Sequence, residues 1–166
     1  MDEAYLDIET TGLSCPYADI TVIGIYLVNN SSSRLVELAG KEVTSDNLLE
    51  SLNGVNKIYA YNGRRFELAF VHDSLEIDLA DVFHQHDLMY DCWRCNRKGG
   101  FKAAEQQPGI PRQLKGMSGW DAVIQWWRYQ QYGDRTALAT LLQYNKEDVM
   151  NLKALRERLD ATGVRG

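Results

Sequence analysis

Apolar residues run in short alternating or continuous blocks through the first third of the chain and recur at steps of three and four through the last third. AYLDIE (4–9), ITVIGIYLV (20–28) and RLVELA (34–39) read as strands separated by the turn-rich TTGLSCPYAD and NNSSS, which makes a three-strand antiparallel meander. SDNLLESLN comes next as a helix with Ser45 or Asp46 as N-cap, Leu48, Leu49 and Leu52 on one face, and an end near Gly54. KIYAY (57–61) is a fourth strand. FELAFVHDSL (66–75) has helical spacing in Phe66, Phe70 and Val71, and a short strand or loop near EIDLADVF leads into HDLMYDCWR.

Pro108, Gly109, Pro111 and nearby glycines mark 99–119 as mostly loop. Val123, Ile124, Trp127 and Tyr129 predict a helix from Trp120 to about Tyr132, broken by Gly133 and Asp134; Asp134 reads as a helix cap. RTALATLLQYNKEDVMNLKALRERLDATG is a long helix with a stop at Gly163. Strands first, with helices around and after them, predict one α/β domain over 1–166: a mixed β-sheet, antiparallel meander first and parallel strands later, flanked by α-helices.

Composition narrows the class. The chain of 166 residues has no evident linker, begins with acidic residues, and has no apolar run near the roughly 20 residues of a membrane span. A soluble protein that makes no membrane contact is expected. Three cysteines, Cys15, Cys92 and Cys95, are odd in number in a chain too large to need stapling, which fits a reducing, cytoplasmic setting. A net charge of −5 gives no sign of a generic polyanion binder, which ordinarily carries a strongly basic balance. Positive charge is nevertheless concentrated in 94–115, where Arg94, Arg97, Lys98, Lys102, Arg112 and Lys115 face only Glu105. Such a run is ordinarily a solvated face; a phosphate-facing stripe is the alternative.

The acids carry the chemistry. On a strand, Asp7 and Glu9 point to one face about 7 Å apart while Leu6 and Ile8 point to the other. The TTG after them marks the strand's C-terminal end, where open α/β sheets gather ligands. On the last helix, Asp148 shares a stripe with Leu141, Tyr144, Leu152, Leu155 and Leu159, so an acid lies on a packing face, with Tyr144 one turn before it. Glu67, in the first turn of a helix behind the Asn62-Gly63 turn, reads by itself as ordinary dipole matching. If Asp7, Glu9, Glu67 and Asp148 meet, like charges about 4 Å apart repel by roughly 4 kcal/mol at an effective dielectric of 20, so the cluster must take up protons or cations. All-oxygen donors suit Mg2+ or Mn2+, and two such ions ~3.5–4 Å apart serve in-line phosphoryl displacement.

DIETTGL, YNGRRFE and YNKED resemble, in order, the three exonuclease motifs of the DEDD (DnaQ-like) 3′-to-5′ exonuclease superfamily, whose fold is RNase H-like. YNGRRF, DCWR…GGFKAAE and LLQYNKEDVMNL extend the resemblance over nearly the whole chain, to the YprB-type ribonuclease H-like branch. The resemblance implies a metal-dependent hydrolase that releases nucleotides from single-stranded 3′ ends of DNA or RNA with two Mg2+ or Mn2+ ions. It implies that Asp7 bridges the two ions, that Glu9 and Asp148 complete the one that activates water, and that Tyr144 orients that water, the tyrosine subtype. Thr10, Thr11, Gly12 and Leu13 would pack on the terminal nucleotide, Leu13 as a wedge, with Asn62 and Phe66 as supports around the second motif.

One position departs from the pattern: Glu67 stands where the second motif carries aspartate. The longer acid either still reaches the second ion, or leaves a catalytically impaired module that binds nucleic acid or a protein. Asp78 and Asp87 are the acids nearby that could substitute, although the order of the motifs in the resembled family fits both better as supporting or structural residues. In the basic stretch, Trp93 and Phe101 are interleaved as candidate backbone contacts, although core packing is the more ordinary job of both, as it is for Trp120, Trp126 and Trp127. His84, His86, Cys92 and Cys95 contain a C-x-x-C spacing suited to zinc, but a strand pair and a helix pair converge poorly and the zinc reading is disfavoured.

Overall fold

A computed structural model describes residues 2–163 of the chain. Five strands, β1 (Glu3–Thr10), β2 (Ile20–Val28), β3 (Ser33–Ala39), β4 (Lys57–Ala60) and β5 (His84–Asp87), form one sheet in the order β3-β2-β1-β4-β5. β2 runs antiparallel to β1 and to β3, while β4 is parallel to β1 and β5 parallel to β4. Helices α1 (Ser45–Ser51), α2 (Glu67–Leu75), α3 (Leu79–Val82), α4 (Leu88–Arg94), α5 (Phe101–Gln106), α6 (Gly119–Tyr132) and α7 (Arg135–Ala161) flank it. This is the expected mixed α/β sheet, an antiparallel meander followed by parallel strands and flanked by helices.

Alternation along β1 divides the core. Leu6 and Ile8, opposite Ile25 and Ile23 of β2, pack on one face with Leu48 of α1 and with Phe70 and Val71 of α2. Tyr5 turns to the other face and packs with Leu152, Leu155 and Leu159 of α7. Farther along that face, Val22, opposite Glu9, packs with Trp126 of α6 and with Leu141 and Tyr144 of α7. The stripe read from the sequence of α7 is therefore the buried one, with Asp148 in it. Among the described residues no helix is long and apolar enough to cross a membrane.

The ladder between β1 and β4 ends at the Tyr5–Tyr59 pair, whereas pairing with β2 continues to Thr10. The acidic half of β1 thus has a strand on one side only, while α7 packs across its face and α2 also contacts it. Gly133, at φ +64, ends α6, and Asp134 caps α7 by accepting from the Ala137 amide at 3.0 Å.

Three local expectations are corrected and one is refined. Thr44 rather than Ser45 or Asp46 caps α1, because its backbone is the last extended one and its hydroxyl receives the Asn47 amide at 3.2 Å. Asp78 caps the single turn α3, and the strand of that region is His84–Asp87. The stretch 99–119 is mostly loop as expected, interrupted by the short helix α5, in which Phe101, Ala104 and Glu105 turn toward the body of the protein. Trp120 and Trp127 lie outside the core, 69 % and 46 % exposed, because α6 turns Ala122, Val123 and Trp126 inward.

Candidate metal and active site

β1 and α7 place three carboxylates together: Asp7, Glu9 and Asp148 each offer an oxygen within 4.8 Å of the others. Close approach of helix to sheet makes this possible. Asp7 stands opposite Gly24 in the β1–β2 ladder, and a Cβ on Gly24 would lie 1.9 Å from Asn145 Oδ1. The missing side chain lets Asn145, fully buried, reach across and donate through Nδ2 to Asp7 Oδ2 at 3.2 Å and to the Asp7 carbonyl at 3.4 Å. Asp148 lies about one helical turn farther along α7 than Asn145, and the buried Tyr144 stands one turn before it, next to Asn145 in the chain.

Burial shifts the acids toward protonation. Asp7 is pushed up to about 6 by desolvation, against the pull of Lys102 and Arg112. Glu9 is held well above the usual carboxylate range by burial first and by the Asp7 charge second. Glu67, the first residue of α2, is also raised by burial and then by Asp7, so it faces the same field although it stands outside the group of three. Glu9 Oε1 and Glu67 Oε2 are buried with no hydrogen-bond partner among the described residues. Orphan acid oxygens beside three converging carboxylates call for a hard cation, and the donor set fits Mg2+ or Mn2+.

Two cations from the basic stretch turn into this site. Lys102 Nζ meets Asp148 Oδ1 at 2.5 Å and sits 4.4 Å from the centre of the Tyr144 ring. Arg112 Nη2 donates to the same Asp148 oxygen. Arg112 is itself gripped in fork geometry by Glu105, at 2.8 Å through both Nε and Nη2, and Asn151 donates to Glu105 at 2.9 Å. The solvated-face reading therefore fails at Lys102 and Arg112. Sequence reasoning missed their pairing with Asp148, and missed Asn145; the lone acid Glu105 in a basic run was the available signal for the first.

The turn after β1 is built from its own hydroxyls. Thr10 Oγ1 donates to the Gly12 carbonyl at 2.5 Å, and Thr11 Oγ1 receives the Asp19 amide at 2.9 Å. Leu13 projects into solvent, 89 % exposed, and Tyr17 beside it does the same at 92 %. Behind the second motif, Asn62 adopts φ +61 and its amide donates to Asp87 Oδ1 at 2.8 Å. Phe66 packs on Phe70, with ring centres 5.0 Å apart, against the apolar cluster. Asp78 and Asp87 serve as caps for α3 and α4.

The zinc quartet does not assemble. His86 Nε2 bonds Asp91 Oδ2 at 2.5 Å, His84 is exposed, and burial pushes the Cys92 thiol up to about 11, away from the thiolate a metal needs.

Comparison with known proteins agrees with this architecture. The model of the family RNase_H_2, described as RNase_H superfamily, matches residues 4–160. No curated protein sequence matches the chain. Among solved structures, one described as the apo form of the nuclease is 17% identical with TM-score 0.66, over 96% of this chain and 72% of the other. The family B DNA polymerase from Pyrobaculum calidifontis is 13% identical with TM-score 0.71, over 95% of this chain and 24% of the polymerase. Brucella melitensis NrnC bound to pGG is 17% identical with TM-score 0.61, and NrnC with bound Mg2+ is 16% identical with TM-score 0.58, each over 98% of this chain and 76% of NrnC. At these identities the likeness is one of fold. With the family match spanning almost all of it, the chain belongs to the RNase_H superfamily.

Proposed function

We propose that this protein is a divalent-metal-dependent 3′-to-5′ exonuclease that hydrolyses phosphodiester bonds of single-stranded DNA or RNA, with two Mg2+ or Mn2+ ions at Asp7, Glu9, Glu67 and Asp148. The observation that carries the reading is the convergence of Asp7, Glu9 and Asp148 at the open end of β1 beside orphan acid oxygens. NrnC, a fold relative, is described with pGG and with Mg2+, which supports a nucleic-acid substrate and a hard cation here. The odd cysteine count keeps the cytoplasm as the proposed setting.

When bound, the ions would polarise the phosphodiester and make a water acidic enough to attack it. The chain's own residues do the positioning. Asn145 fixes the Asp7 carboxylate through its Oδ2 atom. The Tyr144 hydroxyl, on the face of α7 that carries Asp148, aligns the attacking water. The Thr10–Leu13 turn, braced by its threonine hydroxyls, receives the terminal nucleotide with Leu13 against its base.

An oligonucleotide labelled at its 5′ end and incubated with MnCl2 should give a ladder of successively shorter labelled products. Asp7→Asn should lower the rate at least about 100-fold. A substrate that stays intact with the wild-type protein at saturating Mn2+ would overturn the proposal. A second reading, a nucleic-acid- or protein-binding module without catalysis, draws on the position of Glu67 outside the group of three. Retention of labelled single strands without cleavage would favour it.

A further inference from the structure

Asp148 Oδ1 receives two cations, and they are held very differently. Arg112 is tied on several sides: Glu105 grips it through two nitrogens, Glu147 lies 3.7 Å away, and its side chain is only 10 % exposed. Lys102 comes from the first turn of the six-residue helix α5, keeps 37 % of its side chain in solvent, and is hydrogen-bonded to Asp148. Its ammonium lies against the Tyr144 ring and, at longer range, neutralises Asp7 and Glu9. The Phe101 ring centre is 5.6 Å away. A compact charge on a flexible stem, already part-solvated, is the cation that can leave.

We infer that Lys102 is an exchangeable counter-cation. In the free protein its ammonium satisfies Asp148 in place of a divalent ion, and the ion enters by displacing it. Two cations cannot share that oxygen with a doubly charged third one at contact distance without strong repulsion, and Arg112 is fixed by Glu105, so the lysine gives way. The consequence is a metal affinity set by competition: Lys102 protects the acids from mutual repulsion without metal and weakens metal binding by the same interaction. The inference rests on the metal reading of the carboxylate cluster.

Titration calorimetry of the full chain with MnCl2 tests it. Lys102→Met should bind Mn2+ about ten-fold more tightly than wild type, the scale of losing one charge-assisted hydrogen bond that competes. Lys102→Arg, which keeps a cation there, should stay near wild type, and Lys98→Met should not differ from it. In thermal melts Lys102→Met should lose stability in EDTA and regain more on adding Mn2+ than wild type does; Lys102→Gln supplies the same comparison should the methionine variant fold poorly. Equal or weaker Mn2+ binding by both Lys102→Met and Lys102→Gln, with wild type binding normally, would overturn the exchange alone. Absence of Mn2+ binding in every one of these proteins would overturn the metal reading, and the inference with it.

Discussion

Asn145 Nδ2 lies 3.2 Å from Asp7 Oδ2, so the last helix holds the first strand's acid with a neutral donor and leaves its negative charge available. Asn145→Ala should free the Asp7 carboxylate and open a small buried void. A stability loss of about 1–3 kcal/mol in urea denaturation is expected, with a lower kcat/KM for oligonucleotide cleavage. Unchanged values for both would remove Asn145 from the positioning of Asp7.

Gly24 owes its place to the same contact. A methyl group there meets Asn145 Oδ1 at 1.9 Å and Val149 Cγ1 at 3.1 Å. Gly24→Ala should cost about 1–3 kcal/mol by overpacking. The double variant Gly24→Ala/Asn145→Ala should be more stable than the sum of the two losses implies, because the main clash partner is gone; additivity would contradict the proposed contact.

Proton uptake gives a signed pH effect. Asp7 has a folded-state pKa raised from 3.8 to about 6 by desolvation, so the folded protein binds its proton more tightly than the unfolded chain does. Its contribution to stability is full below about pH 4 and is lost as pH rises through 6. In EDTA, the melting temperature of wild type should therefore fall relative to Asp7→Asn between pH 4 and 6.5. Mn2+ should reverse that fall at pH 7, where the acids are free to bind it. A pH profile parallel to that of Asp7→Asn would contradict the assignment.

Glu67 combines burial, a partnerless Oε2 and a carboxyl held well above its ordinary range by desolvation and by Asp7. Glu67→Gln keeps the shape and removes the ionisable group. It should raise the melting temperature of the metal-free protein at pH 7 and lower kcat/KM by roughly 10- to 100-fold, a trade of activity for stability. Cleavage at the wild-type rate would show that Glu67 takes no part in the chemistry.

Much of this was legible in residue order. Strand alternation placed Asp7 and Glu9 on one face, and the spacing Leu141, Tyr144, Asp148, Leu152 put an acid on a buried stripe, because both periods are local properties of the backbone. What stayed hidden depends on contacts between distant segments. Lys102 and Arg112 belong to a charge run that looks like a solvated face until Glu105 and Asp148 are near them. Asn145 carries no sign of its role apart from standing three residues before Asp148, and only the missing side chain at Gly24 brings it to Asp7. Trp120 and Trp127 share a helix with buried neighbours, but α6 turns Ala122, Val123 and Trp126 to the core and leaves both of them outside it.

Crystals grown with MnCl2 probe the carboxylate cluster itself, since the anomalous signal of the ion locates it without reference to activity. Density for Mn2+ bonded to oxygens of Asp7 and of at least one of Glu9 and Asp148, at about 2.0–2.3 Å, is the expected result. Saturating Mn2+ with no ion between these carboxylates, or with its ions bound only elsewhere, would contradict a metal centre at the end of β1.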